Sequence, residues 1–106
     1  MGKYDLEVTN EVLVFIRGFD EITQDKILKT FDKIVLGYFG NHYSKMPGTD
    51  LYECRVGTRD FWLRFLTRHE KRHDGTIVIV LHGFKKKTNK IPQKEIDKAN
   101  NIYNRR

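Results

Sequence analysis

The stretch Thr76-Ile-Val-Ile-Val-Leu-His-Gly-Phe-Lys-Lys-Lys-Thr-Asn-Lys-Ile-Pro-Gln-Lys-Glu-Ile96 decides how this chain folds. Ile77 to Leu81 is a nearly uninterrupted β-branched and aliphatic run, long enough for a strand and too short for a buried helix. Lysines follow in a block, at Lys85, Lys86, Lys87 and Lys90. Pro92 stands where a first helical turn wants it, and Glu95 lies early enough to favour the positive end of the helix dipole. A strand that leaves an apolar interior, enters concentrated positive charge and gives way to a helix delivers cations to one edge of the fold. Such an edge suits phosphate.

Upstream, Lys3 to Val8 alternates with Tyr4, Leu6 and Val8 on one side, which predicts a first strand near a sheet edge. Thr9 or Asn10 caps a helix with Val12, Leu13, Ile16 and Phe19 at helical spacing, ending at Gly18 or Asp20. A second helix is expected from about Glu21 to Phe39, on the stripe Ile27, Leu28, Phe31, Ile34, Val35 and Tyr38. Residues 40–50, with Pro47 and Gly48, read as a loop. Leu51 to Val56 and Phe61 to Thr67 read as strands joined by the turn Gly57-Thr58-Arg59-Asp60. A polar connection, 68–75, leads into the strand at Ile77. The terminal helix carries a narrow stripe of Pro92, Ile96, Ala99 and Tyr103. Three consecutive strands with short links favour an antiparallel meander. The expected fold class is α+β: a helical hairpin and a C-terminal helix on a small, mainly antiparallel four-stranded sheet, in the order β-α-α-β-β-β-α.

At 106 residues the chain is expected to form a single domain, 1–106, with one modest core. A mean hydropathy of −0.61 and 32% charged residues argue against a membrane protein. No apolar run approaches the roughly 20 residues of a spanning helix. The N-terminus has no apolar signal region, and the single Cys54 excludes an internal disulfide, so a cytoplasmic location is expected. The net charge is +6. Residues 85–106 hold eight lysines and arginines against Glu95 and Asp97, so the entire excess lies there. That localisation favours a polyanionic partner; a solvated basic helix is the plainer alternative.

Arg55 and Arg64 each interrupt an apolar strand. Glu53 and Arg55 share one face of their strand, and Trp62 and Arg64 one face of the next. If Glu53, Arg55 and Arg64 project together they meet the lysines in a cationic hollow, where guanidiniums match phosphate oxygens bidentately. A cross-strand ion pair on a solvated face is the structural alternative. His82, just ahead of the lysines, is a candidate acid or base, or a satisfied histidine at a strand end. Cys54 with His82 has the residue types of a nucleophile and base, although a lone strand cysteine is more often core. His69 and His73 have i, i+4 spacing but no third ligand, so no metal and no cofactor is expected.

Leu-Tyr-Glu-Cys-Arg (51–55), Arg64 nine residues later, and Val80 to Ala99 with Gly83, Phe84, Lys86, Lys87, Thr88, Lys90, Pro92, Glu95, Ile96 and Ala99 carry a resemblance. They are similar to the HigB-like, phage-derived branch of the RelE/ParE toxin superfamily. The resemblance implies the toxin of a type II toxin–antitoxin pair: a metal-independent endoribonuclease that cleaves mRNA in the ribosomal A site. The RNA's own 2′-hydroxyl would attack, leaving a 2′,3′-cyclic phosphate. On that pattern Arg55 and Arg64 clamp the phosphate, Lys86 and Lys87 stabilise charge with one of them moving a proton, and His82 is a candidate base. Glu53 orients Arg55, while Lys85, Lys90, Trp62 and Phe84 would contact RNA. Two departures stand out. Cys54 replaces an aliphatic residue, and no tyrosine follows Arg64, leaving Trp62 or Phe65 to stack on a base. The implied partner is a cognate helix-turn-helix antitoxin that blunts the cationic face of a monomeric toxin, with operator DNA reached only through it. Two rivals are a ParE-like DNA gyrase inhibitor and a non-catalytic RNA-binding module.

Overall fold

The apolar run 77–81 lies inside a sheet that is covered on both faces, which is why it reads as continuous rather than alternating. A computed structural model describes residues 3–106. In chain order the elements are β1 (Asp5–Val8), α1 (Asn10–Arg17), α2 (Glu21–Val35), β2 (Tyr43–Lys45), β3 (Leu51–Gly57), β4 (Trp62–Arg72), β5 (Gly75–Lys85) and α3 (Gln93–Asn104). The sheet order is β1-β5-β4-β3-β2. β1 runs parallel to β5 and the other pairs are antiparallel.

The α+β class and the expected order hold, with five strands in place of four. The added strand, β2, falls in the expected loop and pairs Tyr43 with Cys54 and Ser44 with Glu53. Three residues are too few to carry an alternation. β4 and β5 outrun their apolar cores, so most of the expected polar connection is hairpin, turning at His73 and Asp74. Helix α2 stops at Val35, because Gly37 takes a φ of 84° two residues later. Tyr38 is therefore outside the helix and 65% exposed, and Leu28 is 53% exposed, so neither belongs to the buried stripe. Pro92 is the N-cap of α3 rather than its first helical residue.

Asp20 caps α2, its carboxylate accepting from the Thr23 amide, and that bond holds its pKa below the usual carboxylate value. Thr9 caps α1, accepting from the Val12 amide. The same hydroxyl donates to the Leu81 carbonyl at 3.1 Å.

That carbonyl marks the main irregularity of the sheet. Thr67 pairs with Val80 but Leu66 pairs with His82, so Leu81 is an extra residue in β5. Below it, Val78 and Val80 point to the α1–α2 layer, and Ile79 and Leu81 to α3. Above it the parity reverses. Gly83 now faces α1, and Phe84 faces α3. Val12, Ile16, Ile27, Phe31 and Ile34 close the first layer over Cys54, Phe65 and Val78. Ala99 and Ile102 close the second over Leu51, Leu66 and Ile79.

A polar group, buried at Tyr43 and Thr67 and part-buried at His69 and Tyr52, extends the first layer beyond the end of α2. Tyr43 Oη lies 2.6 Å from Thr67 Oγ1 and 2.8 Å from His69 Nε2, and the His69 ring stacks on Tyr52 at 3.9 Å. Burial raises the Tyr43 phenol pKa and lowers that of His69.

Two outcomes follow from this packing. A Cβ on Gly83 would sit 2.7 Å from Phe65 and 2.8 Å from Phe15. Gly83→Ala is expected to lower unfolding free energy by roughly 1–3 kcal/mol in urea titration. Because the folded state disfavours protonated His69, the unfolded chain binds the extra proton, and stability falls as pH drops below about 6.5. Calorimetry between pH 7.5 and 5.5 should show Tm falling, and less steeply in His69→Gln.

Candidate active site

Helix α3 does not cover the whole of its face. Its C-terminal half is fastened down: Tyr103 Oη donates to Glu70 at 2.8 Å, Arg68 stacks over the Tyr103 ring at 4.1 Å, and Arg106 pairs with Glu7. The end of the face formed by β2, β3 and the last residues of β5 is left open. Strand alternation places Glu53, Arg55 and Arg64 there, and Arg55 and Arg64 are direct cross-strand partners.

Two opposed guanidiniums would repel, and Glu53 lies between them. Its Oε2 is 2.5 Å from Arg64 Nε, and its Oε1 is 3.3 Å from Arg55 Nη2. Arg64 is only 5% exposed and also donates to the Leu63 carbonyl at 3.3 Å. Its Nε–H has no aligned acceptor, so the short contact to Glu53 is a charge pair more than a hydrogen bond. Arg55 is more open. Its Nη1 donates to the Asn41 carbonyl at 2.8 Å and its Nη2 to Ser44 Oγ at 2.6 Å. Those bonds hold the guanidinium in one orientation at the wall of a hollow of about 340 Å³, shared with Glu53, Lys45 and Lys90.

The lysine block divides. By alternation Lys85 leaves on the α1–α2 side, where its ammonium lies 4.6 Å from the Phe61 ring centre. It does not join the arginines. Lys86 anchors its amide to the Trp62 carbonyl, and with Lys87 and Lys90 it rims a second hollow of about 220 Å³. Lys90 and Ile91 line both hollows, so these adjoin. Arg55 and the lysine pair thus line two neighbouring recesses rather than one, and Arg64, buried behind Glu53, lines neither.

His82 is 8% exposed, and its Nε2 lies 2.9 Å from Glu95 Oε1 while its ring stacks on Phe84. It is a satisfied histidine tying β5 to α3. Phe84 is buried beneath the second hollow. Trp62 is 53% exposed beside Arg64, whose guanidinium carbon lies 5.6 Å from the ring centre. Cys54 faces α2, on the opposite side of the sheet from His82, and burial pushes its thiol up to about 12. The two do not form a nucleophile–base pair. His69 lies in β4 with its Nε2 on Tyr43, and His73 stands in the turn.

Sequence reasoning missed Ser44 and Asn41, which aim Arg55, because β2 leaves no pattern and a backbone carbonyl carries no residue signature.

A family model described as phage-derived protein Gp49-like matches residues 14–104. The chain belongs to that family. The Gp49-like family is a RelE/HigB-type toxin family, in keeping with the motifs of β3, β5 and α3, and it implies a cognate antitoxin as partner. A structure of the E. coli toxin RelE, a double arginine mutant in the free state, is similar in fold. The TM-score is 0.57 at 14% identity, over 98% of this chain and 93% of that one. No curated protein matches at comparable stringency. Among the described residues no helix is long and apolar enough to cross a membrane.

Removing Glu53 from this Gp49-like toxin strands the Arg64 charge in a nearly closed site. Glu53→Ala is expected to cost about 3 kcal/mol in chemical denaturation. Arg55→Ala, at a partly solvated position, should cost less than about 1 kcal/mol.

Proposed function

We propose that this toxin is a ribosome-dependent, metal-independent endoribonuclease that cuts mRNA in the A site and so halts translation. The observation that carries the reading is the Arg55 guanidinium, fixed by Ser44, Asn41 and Glu53 at a hollow that adjoins Lys86, Lys87 and Lys90. A preorganised guanidinium next to several lysines fits the charge that builds up when a phosphodiester becomes five-coordinate.

In this reading Arg55 binds the non-bridging oxygens of the scissile phosphate and turns the phosphorus for in-line attack. The 2′-oxygen of the preceding ribose bonds to phosphorus as the P–O5′ bond breaks. The products are a 2′,3′-cyclic phosphate and a free 5′-hydroxyl. Lys86 gives its proton to the departing O5′, and the proton released from the 2′-hydroxyl returns to the lysine amine through solvent. Lys87 and Lys90 offset the remaining negative charge. Arg64 acts from behind, holding Glu53, and through it Arg55, in place. Trp62 offers an exposed ring to a neighbouring base. His82 supports β5 and does not meet the substrate. The antitoxin, proposed to be a helix-turn-helix protein, neutralises the toxin and carries it to operator DNA.

Inducing the chain alone and mapping mRNA 5′ ends tests this. Growth arrest with new ends inside translated frames is expected. Both Arg55→Ala and the double variant Lys86→Ala, Lys87→Ala should cut cleavage by about a hundredfold or more while remaining folded. Arrest with intact messages and broken DNA would instead mark a gyrase poison.

A further inference from the structure

The second hollow has a composition that phosphate binding alone does not explain. Its floor is apolar, made by Phe84, Ile91 and Pro92. Lys86, Lys87, Lys90 and Lys94 line it too, while Lys85 borders it but carries its ammonium away to the Phe61 ring. A site for a bare phosphate has no use for an aromatic floor, and a site for an apolar side chain has none for four lysines. A nucleotide needs both, because its base is planar and poorly hydrated on its faces while its phosphates are charged. At about 220 Å³ the recess is smaller than the roughly 300–1,000 Å³ of a drug-sized pocket, which fits one ring system.

One carboxylate stands among these groups. Glu95, in the first turn of α3, gives Oε1 to His82 at 2.9 Å. That leaves Oε2 without a side-chain partner among the described residues. The His82 bond fixes the carboxylate's rotation, and the His82 ring is itself held against Phe84. A fixed carboxylate is an acceptor only. It accepts a hydrogen bond from an exocyclic amino group and repels a carbonyl oxygen.

We propose that this recess binds a base of the RNA next to the cut, and that Glu95 selects a base whose edge bears an exocyclic amino group. The inference rests on the RNA-cleaving reading above and adds the identity of a neighbouring base to it. Lys90 and Ile91, which belong to both hollows, place the base directly beside the scissile phosphate.

Titrating the isotope-labelled protein with nucleoside 5′-monophosphates tests the assignment. Adenosine is compared with inosine, and cytidine with uridine, since each pair exchanges an amino group for a carbonyl. Amino-bearing nucleotides should shift the resonances of Phe84, Ile91 and Glu95 and bind about tenfold more tightly than their partners. Glu95→Gln keeps an oxygen for His82 and turns an amide NH₂ toward the base. It should erase or reverse that ratio, and in cells it should change which bases flank the cuts. Equal affinities within each pair, or shifts that spare Phe84 and Ile91, overturn the base assignment. The Arg55 side-chain signal reports the phosphate separately: if it responds while Phe84 and Ile91 do not, the RNA reading survives and the base pocket does not. If no nucleotide shifts any of these signals, both fail.

Discussion

One surplus residue in β5 sets up everything on the working face. Without Leu81 as a bulge, strict alternation would carry Ile77 and Ile79 through to Gly83 and Lys85 on the α3 side, and would turn His82, Phe84 and Lys86 toward the α1–α2 layer. The bulge exchanges them. The carbonyl it frees is taken by the Thr9 hydroxyl, which also caps α1. A single threonine thus joins the first helix, the end of the first strand and the irregularity that orients the lysines. Bulges in other sheets re-aim side chains next to sites in the same way.

The charges on that face form three tiers. Arg64 and Glu53 are largely removed from water, so each is tolerable only because of the other. Arg55 stands in front of them, partly solvated and steadied by Ser44 and a carbonyl. The lysines of 86–90 make up the outer tier, carried by a short connection between β5 and α3. Positive charge is therefore rigid where it is buried and adaptable where it is exposed. Helix α3 is fastened at its far end through Tyr103 and Arg106 and at its first turn through Glu95 on His82, so the lysine-bearing connection is held at both of its ends.

Much of this was legible from residue order. The apolar run 77–81, the α2 stripe at Ile27, Phe31 and Ile34, and the interrupting arginines each mark a feature with a strong local cause. The convergence of Arg55 with Arg64 followed from counting alternate positions in two adjacent strands. What escaped had non-local causes. The separation of Lys85 from Lys86 depends on a bulge four residues earlier, and nothing in Val80-Leu81-His82 announces it. The burial of Arg64 depends on its register with Glu53, and the fate of His82 on a helix that begins eleven residues later. β2 forms because β3 offers an edge, with only three residues of its own to signal it.

Both margins of the sheet are narrow, four residues in β1 and three in β2, while the strands between them are longer. β1 is the sole neighbour of β5 on its outer side. Were β1 clipped or peeled away, Ile77-Val-Ile-Val-Leu81 would present a bare row of backbone donors and acceptors, uncharged and free of proline. Such a segment recruits identical copies into cross-β stacks. Strand β1 thus acts as a sheath against self-polymerisation, a duty separate from any chemistry on the lysine-bearing face.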